Sequence, residues 1–269
     1  MTTIDFHTHC FPASLAPRAL AGLSHASGGL RPYTDGTPEG LLRSMEENDV
    51  QISVVQHIAT NPHQQAAVNR FAAEIQSDRL ISFGSVHPDA PDALETLEHI
   101  KASGLKGIKF HPEYQSFYVN DLKMKPIYQK ASSLGLIVLF HAGFDDGFAP
   151  PYHCMPEQLE SALRWLDTPV VAAHWGGLCC GEEVLRHLCG LPLYFDLSFG
   201  YGTMPKDVAQ RIIEKHGVDR LLFGSDSPWH RPAQERRLLD SLDLTPEERQ
   251  KIDWENAAKL LHLSQMIKE

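Results

Sequence analysis

The run IDFHTHC sets His7 and His9 two residues apart near the start of the chain. In an extended strand, side chains two apart share a face, so both imidazoles are aimed at one spot. Neutral imidazole is the commonest side-chain ligand for zinc and its neighbours, and a His-x-His pair is a natural chelate. Further apolar runs also end in metal-capable residues: His111, His141, His174 and Asp226. Scattered core histidines have no reason to sit at matching strand ends, so these positions read as one metal site. A divalent ion held by imidazoles and a carboxylate lowers the pKa of bound water to about 7 and polarises a carbonyl. Asp226 is the expected proton acceptor and donor beside such a water, with a pure ligand or a loop cap as the plainer alternative.

The elements that must position these residues follow a rhythm of short β-like runs and helical patterns. Strands are expected at residues 4–10, 51–58, 80–86, 107–111, 136–140, 170–173, 193–197 and 221–224. Continuous Val, Ile, Leu and Phe in these runs fit parallel strands buried on both faces. Helical patterns intervene, the first opened by Thr37-Pro38 as cap and first turn. The segment Phe11 to Gly36, rich in Pro, Gly and Ser, reads as a long loop of the kind that often serves as a lid. Eight strand-helix units predict an α/β fold, a (β/α)8 TIM barrel, as a single domain over residues 1–269. On that fold the carboxyl ends of the strands meet at one mouth, where active sites are built.

Composition excludes several function classes. With 24 Lys plus Arg against 34 Asp plus Glu, the net charge is −10, which repels a phosphate backbone, so no nucleic-acid partner is expected. No apolar run approaches the roughly 20 residues needed to span a bilayer, and no signal peptide is evident, so a soluble, cytoplasmic protein without a membrane partner is expected. The 5 cysteines form no C-x-x-C pair and read as free thiols. A small-molecule substrate is the expected partner, and homo-oligomerisation is left open.

The chain resembles the amidohydrolase superfamily, within it the compact amidohydrolase-related branch that includes the aminocarboxymuconate semialdehyde decarboxylase group. The resemblance rests on IDFHTHC, LKGIKFHPEYQ, IVLFHAG, VVAAHWGG, LLFGSDSPW and the tail LTPEERQKIDWENAAKLLHL, spanning nearly the whole sequence. It implies that His7, His9, His141 and Asp226 are metal-site residues. It implies that His174 either ligates a second metal or holds the reactive water. Zinc, as one or two divalent ions, is the implied cofactor. Polymerase-and-histidinol-phosphatase domains share the opening tripeptide, but no second histidine motif of their kind is present.

Strand four bears on the metal count. Two-metal relatives supply a bridging carboxylate or carbamylated lysine from this strand, which makes Glu113 a candidate metal bridge. Lys109 is the weaker candidate, since a buried lysine also pairs with an acid or a substrate carboxylate. His111, Trp175 and Trp229 are candidate substrate contacts at the mouth, with Phe11, Tyr114 and Tyr201 as further apolar lining and His230 and Arg231 as carboxylate partners. Plain packing or a surface role is the bland alternative for each. Hydrolysis of an amide, ester or lactone by metal-activated water is the main reading. Zinc-dependent, non-oxidative decarboxylation of an unsaturated or aromatic acid is the alternative, favoured by one metal with an arginine facing it. A binding protein with a vestigial site is the third, opposed by the retention of every ligand position.

Overall fold

Continuous apolar runs form eight strands: β1 (Ile4–Thr8), β2 (Ile52–Gln56), β3 (Leu80–Phe83), β4 (Gly107–Phe110), β5 (Ile137–Phe140), β6 (Val170–Ala172), β7 (Tyr194–Asp196) and β8 (Leu221–Leu222). The computed structural model describes residues 2–263. All pairings are parallel, in the order β1-β2-β3 and β4-β5-β6-β7-β8. Two narrow joints close the ring. At one, Gly84 bridges Ile108 and Lys109 N–H donates to the Gly84 carbonyl at 2.8 Å; at the other, Thr8 bridges Ser227 and Asp226 N–H donates to the His7 carbonyl at 2.8 Å. The expected (β/α)8 barrel is the fold.

Alternation along the strands separates two core layers. In β4 and β5 the residues Ile108, Phe110, Val138 and Phe140 pack outward with Leu97, Ile100, Ile127 and Tyr128 of the surrounding helices. Ile137 and Leu139, of opposite parity, join Ile4, Phe6, Val54, Phe83 and Val171 in a second cluster that also takes up Ala257, Ala258 and Leu261 from the C-terminal helices. Lys109 and His111 alternate with the outward pair of β4. Parity thus turns them away from the helix-facing layer.

The surrounding helices begin at α1 (Ala16–Ala26), α2 (Pro38–Glu47), α3 (Gln65–Glu74) and α4 (Ala93–Ala102). The Thr37 hydroxyl accepts from Gly40 N–H at the start of α2, as its sequence predicts. Helix α1 corrects the expectation of a structureless loop at Phe11 to Gly36. Its Pro17 stands in the first turn, where the missing N–H costs nothing, and Ala16 and Leu20 bury one face. Strands β3 and β8 are shorter than expected.

Candidate metal centre

At the end of β1 a register shift between Asp5 and Thr8 carries His7 and His9 to the mouth. His9 Nδ1 lies 2.8 Å from the Gln56 carbonyl, which can only accept, so the proton sits on Nδ1. His7 Nδ1 lies 2.9 Å from a carboxylate oxygen of Asp196 and takes the same tautomer. Both Nε2 lone pairs are thereby free. They converge on Asp226, whose Oδ1 is 3.2 Å from His9 Nε2 and 3.5 Å from His7 Nε2. Donors around a tetrahedral ion with bonds of 2.0–2.2 Å stand roughly 3.4 Å apart, so this spacing suits chelation. The two ring planes cross at 61°, which lets both lone pairs meet at one point. These donors, His7 and Asp226 buried and His9 partly so, suit a divalent metal ion of the first transition row.

Asp196, absent from the sequence reading, orients His7 from behind, the usual arrangement for a ligating imidazole. Its signal was present: it ends the apolar run of β7 as the other site residues end theirs. Lys109 Nζ lies 3.3 Å from His7 Nε2 and is fully enclosed. Burial lowers its pKa to about 8, against the pull of Asp196 and Asp226. Burial also drives His7 well below its usual pKa, and Lys109 adds to this, keeping the imidazole neutral as ligation requires. For Asp226, burial opposes ionisation, but the nearness of His9, His7 and Lys109 outweighs it and holds the carboxyl below its usual range.

Beside this cluster His174 and His141 bond to each other, Nε2 to Nδ1, at 3.1 Å. His141 Nε2 donates to the Phe144 carbonyl at 3.0 Å, so its Nδ1 accepts from His174, and His174 Nδ1 faces Ser198 Oγ at 2.9 Å. His111 Nε2 approaches Asp145 at 3.3 Å, and its ring stacks on His141 with centroids 4.1 Å apart and planes at 12°. Near-parallel stacked rings cannot both direct an in-plane lone pair at one ion, so His111, His141 and Asp145 suit a hydrogen-bonded group better than a second chelate. His174, Trp175 and Asp226 hold left-handed backbone at φ 59°, 61° and 67°. Such strain in non-glycine residues concentrates at functional sites.

Two expectations are corrected. Glu113 is turned away from the cluster: its carboxylate accepts from His153 N–H at 2.8 Å and pairs with His153 Nδ1, so it bridges no metal here. Trp175 is 1% exposed and packed in the helix-facing core, without access to the mouth. Trp229, His111, Phe11 and Tyr114 do line the mouth, whereas Tyr201 lies outside it. His230 is paired with Glu235 at 2.6 Å and Arg231 lies over the Tyr33 ring at 4.6 Å. The mouth opens into a cavity of about 510 Å³, and among the described residues lining it Lys109 is the one lysine and no arginine occurs. No described helix is long and apolar enough to cross a membrane.

The sequence model of the amidohydrolase family matches residues 4–263. No curated protein matches. Among solved structures, an uncharacterised TIM-barrel protein from Bordetella bronchiseptica superposes with a TM-score of 0.77 at 18% identity, covering 98% of this chain and 100% of that one. A 5-carboxyvanillate decarboxylase from Sphingomonas paucimobilis gives a TM-score of 0.69 at 14% identity, covering 97% and 99%. A dihydroxybenzoic acid decarboxylase from Polaromonas, with bound manganese and the inhibitor 2-nitroresorcinol, gives 0.70 at 15% identity, covering 98% and 97%.

Proposed function

The chain belongs to the amidohydrolase family, and from that premise we propose that it is a metal-dependent decarboxylase acting non-oxidatively on a small aromatic or unsaturated acid. The observation that carries the reading is Lys109, a buried lysine at the edge of the metal donors, its Nζ 3.3 Å from His7 Nε2, a cation that a substrate carboxylate reaching the cluster would pair with. It takes the place of the facing arginine that would have favoured this chemistry, since no arginine occurs among the described residues lining the cavity. Withdrawal of Glu113 removes the carboxylate bridge that a two-metal hydrolase would use. The decarboxylases among the structural relatives support the same chemistry.

In this proposal His7, His9 and Asp226 would hold one divalent ion, zinc by preference for the donor set, while His141 and His174 are engaged with each other. The ion supplies a Lewis acid at the mouth. Lys109 holds the carboxylate. On a substrate with a hydroxyl beside the carboxyl-bearing carbon, Asp226 accepts the hydroxyl proton and then delivers it to that carbon. The bond to the carboxylate then breaks, its electron pair returns to the ring, and carbon dioxide leaves. His174, hydrogen-bonded to His141, is placed to return a proton from solvent to the phenolate product. His111 and Trp229 contact the ring. The apolar walls keep water from the reacting carbon.

Hydrolysis of an amide, ester or lactone is the second reading, favoured if Lys109 carries a carbamate beside His7. One experiment separates the two. Metal-loaded protein is incubated with hydroxybenzoic and unsaturated acids labelled at the carboxyl carbon, and with amide, ester and lactone panels followed by proton release. Metal-dependent release of labelled carbon dioxide is expected. Turnover confined to the second panel would overturn the proposal.

A further inference from the structure

The cavity is larger than the metal cluster needs, and its outer part is built by two helices that leave apolar stripes uncovered. On α1, Leu15, Ala19 and Leu23 recur every four residues on the cavity wall, while Ala16 and Leu20 on the adjoining face are buried. Opposite them α3 presents Val68 and Phe71. At the inner edge of this lobe the buried His57 Nε2 has no hydrogen-bond partner, although the ring is packed edge-on against Phe71 at 5.5 Å. A buried polar atom left unpaired costs free energy unless a ligand meets it. Among the charged groups of the cavity, Lys109, Asp145 and Asp226 stand among the imidazoles of the metal end, and Lys109 is the one lysine or arginine among the described lining residues. A second anionic group placed in the lobe would find no cation.

We infer that the lobe between α1 and α3 is a specificity subsite for an uncharged, apolar substituent of the substrate, a second ring or a branched alkyl group, with one neutral polar atom hydrogen-bonded by His57. The substrate class is therefore a monocarboxylic aromatic acid extended by an apolar arm. This rests on the decarboxylase reading for the acid end alone, and the arm is read from the helices.

The test measures binding without turnover, by calorimetry on the metal-loaded protein. The probes are 2-hydroxybenzoate, its phenyl-substituted and its carboxy-substituted derivatives, and the matching phenols that lack the carboxylate. The phenyl derivative is expected to bind about tenfold or more tightly than 2-hydroxybenzoate, and the second carboxylate to weaken binding. Ala19→Phe, or Val68→Phe from the opposite wall, fills the lobe and is expected to reduce that ratio to near one, with folding checked by circular dichroism. Equal affinity of the wild-type protein for the phenyl and unsubstituted acids, or an unchanged ratio in a folded variant, would overturn the subsite. If the phenyl increment persists in the phenols while the carboxylate adds nothing, the subsite stands and the decarboxylase reading falls.

Discussion

At the scale of single residues, tautomers and lone pairs decide what the site can do. His7 and His9 each commit Nδ1 to an acceptor and leave Nε2 facing Asp226. Asp226→Asn keeps an oxygen at that position but loses the basic site, so metal content is expected to stay near that of the wild type while turnover falls roughly 100-fold or more. Elemental analysis beside steady-state kinetics checks this; activity within a few-fold at unchanged metal content would move the proton to His174. Asp196→Ala leaves His7 Nδ1 without its acceptor, and metal affinity is expected to fall about 10- to 100-fold, read by competition with a chromophoric chelator. The ligand candidates were legible because imidazoles and a carboxylate ended apolar runs. Glu113 misled because sequence shows that a carboxylate follows β4 but not that His153, forty positions on, folds back to claim it.

At the scale of elements, strands were legible wherever both faces are buried, since continuous apolar runs leave little else to read. Helix α1 was not, because Pro17, Gly22 and the serines around it resemble loop composition and mask its apolar face. The loops after β5 and β6 are tied by the bridge between Gly143 and Leu178, just past His141 and His174. Gly143 has φ +84°, and a Cβ there would stand 2.2 Å from Leu178 N. Gly143→Ala is expected to destabilise the fold by about 1–3 kcal/mol. A urea midpoint lowered at unchanged slope would show it, and a midpoint equal to that of the wild type would refute it.

At the scale of the whole molecule, burial of imidazoles couples stability to pH. Burial lowers His57 and His111 to about 3 and His216 to about 4, all below the usual 6.5. As pH falls, the unfolded chain takes up these protons first, so their contribution is full above about 6.5 and is lost toward pH 3–4. Asp5, raised to about 7 by burial, runs the other way: its contribution is full below its usual 3.8 and is lost as pH rises to 7. His7, His87, His141 and His174 are lowered by burial too, and Glu235 and Asp253 raised, so seven imidazoles against three carboxyls predict that the urea midpoint of the metal-free protein declines from pH 6.5 to 4. A flat or rising midpoint over that interval would contradict the burial of these rings. None of this was legible in sequence, where a histidine carries no mark of its depth.

The closure of the ring at Thr8 and Ser227 also has a bearing on how the protein is made. His7 and His9 leave the ribosome well before Asp226, which lies more than 200 positions further along the chain. At about 5–20 residues per second, the two arms wait on the order of ten seconds or longer for the third. The nascent chain therefore carries a bare two-armed chelate, open to any ion it meets. Selection among metals falls to the moment when β8 docks beside β1.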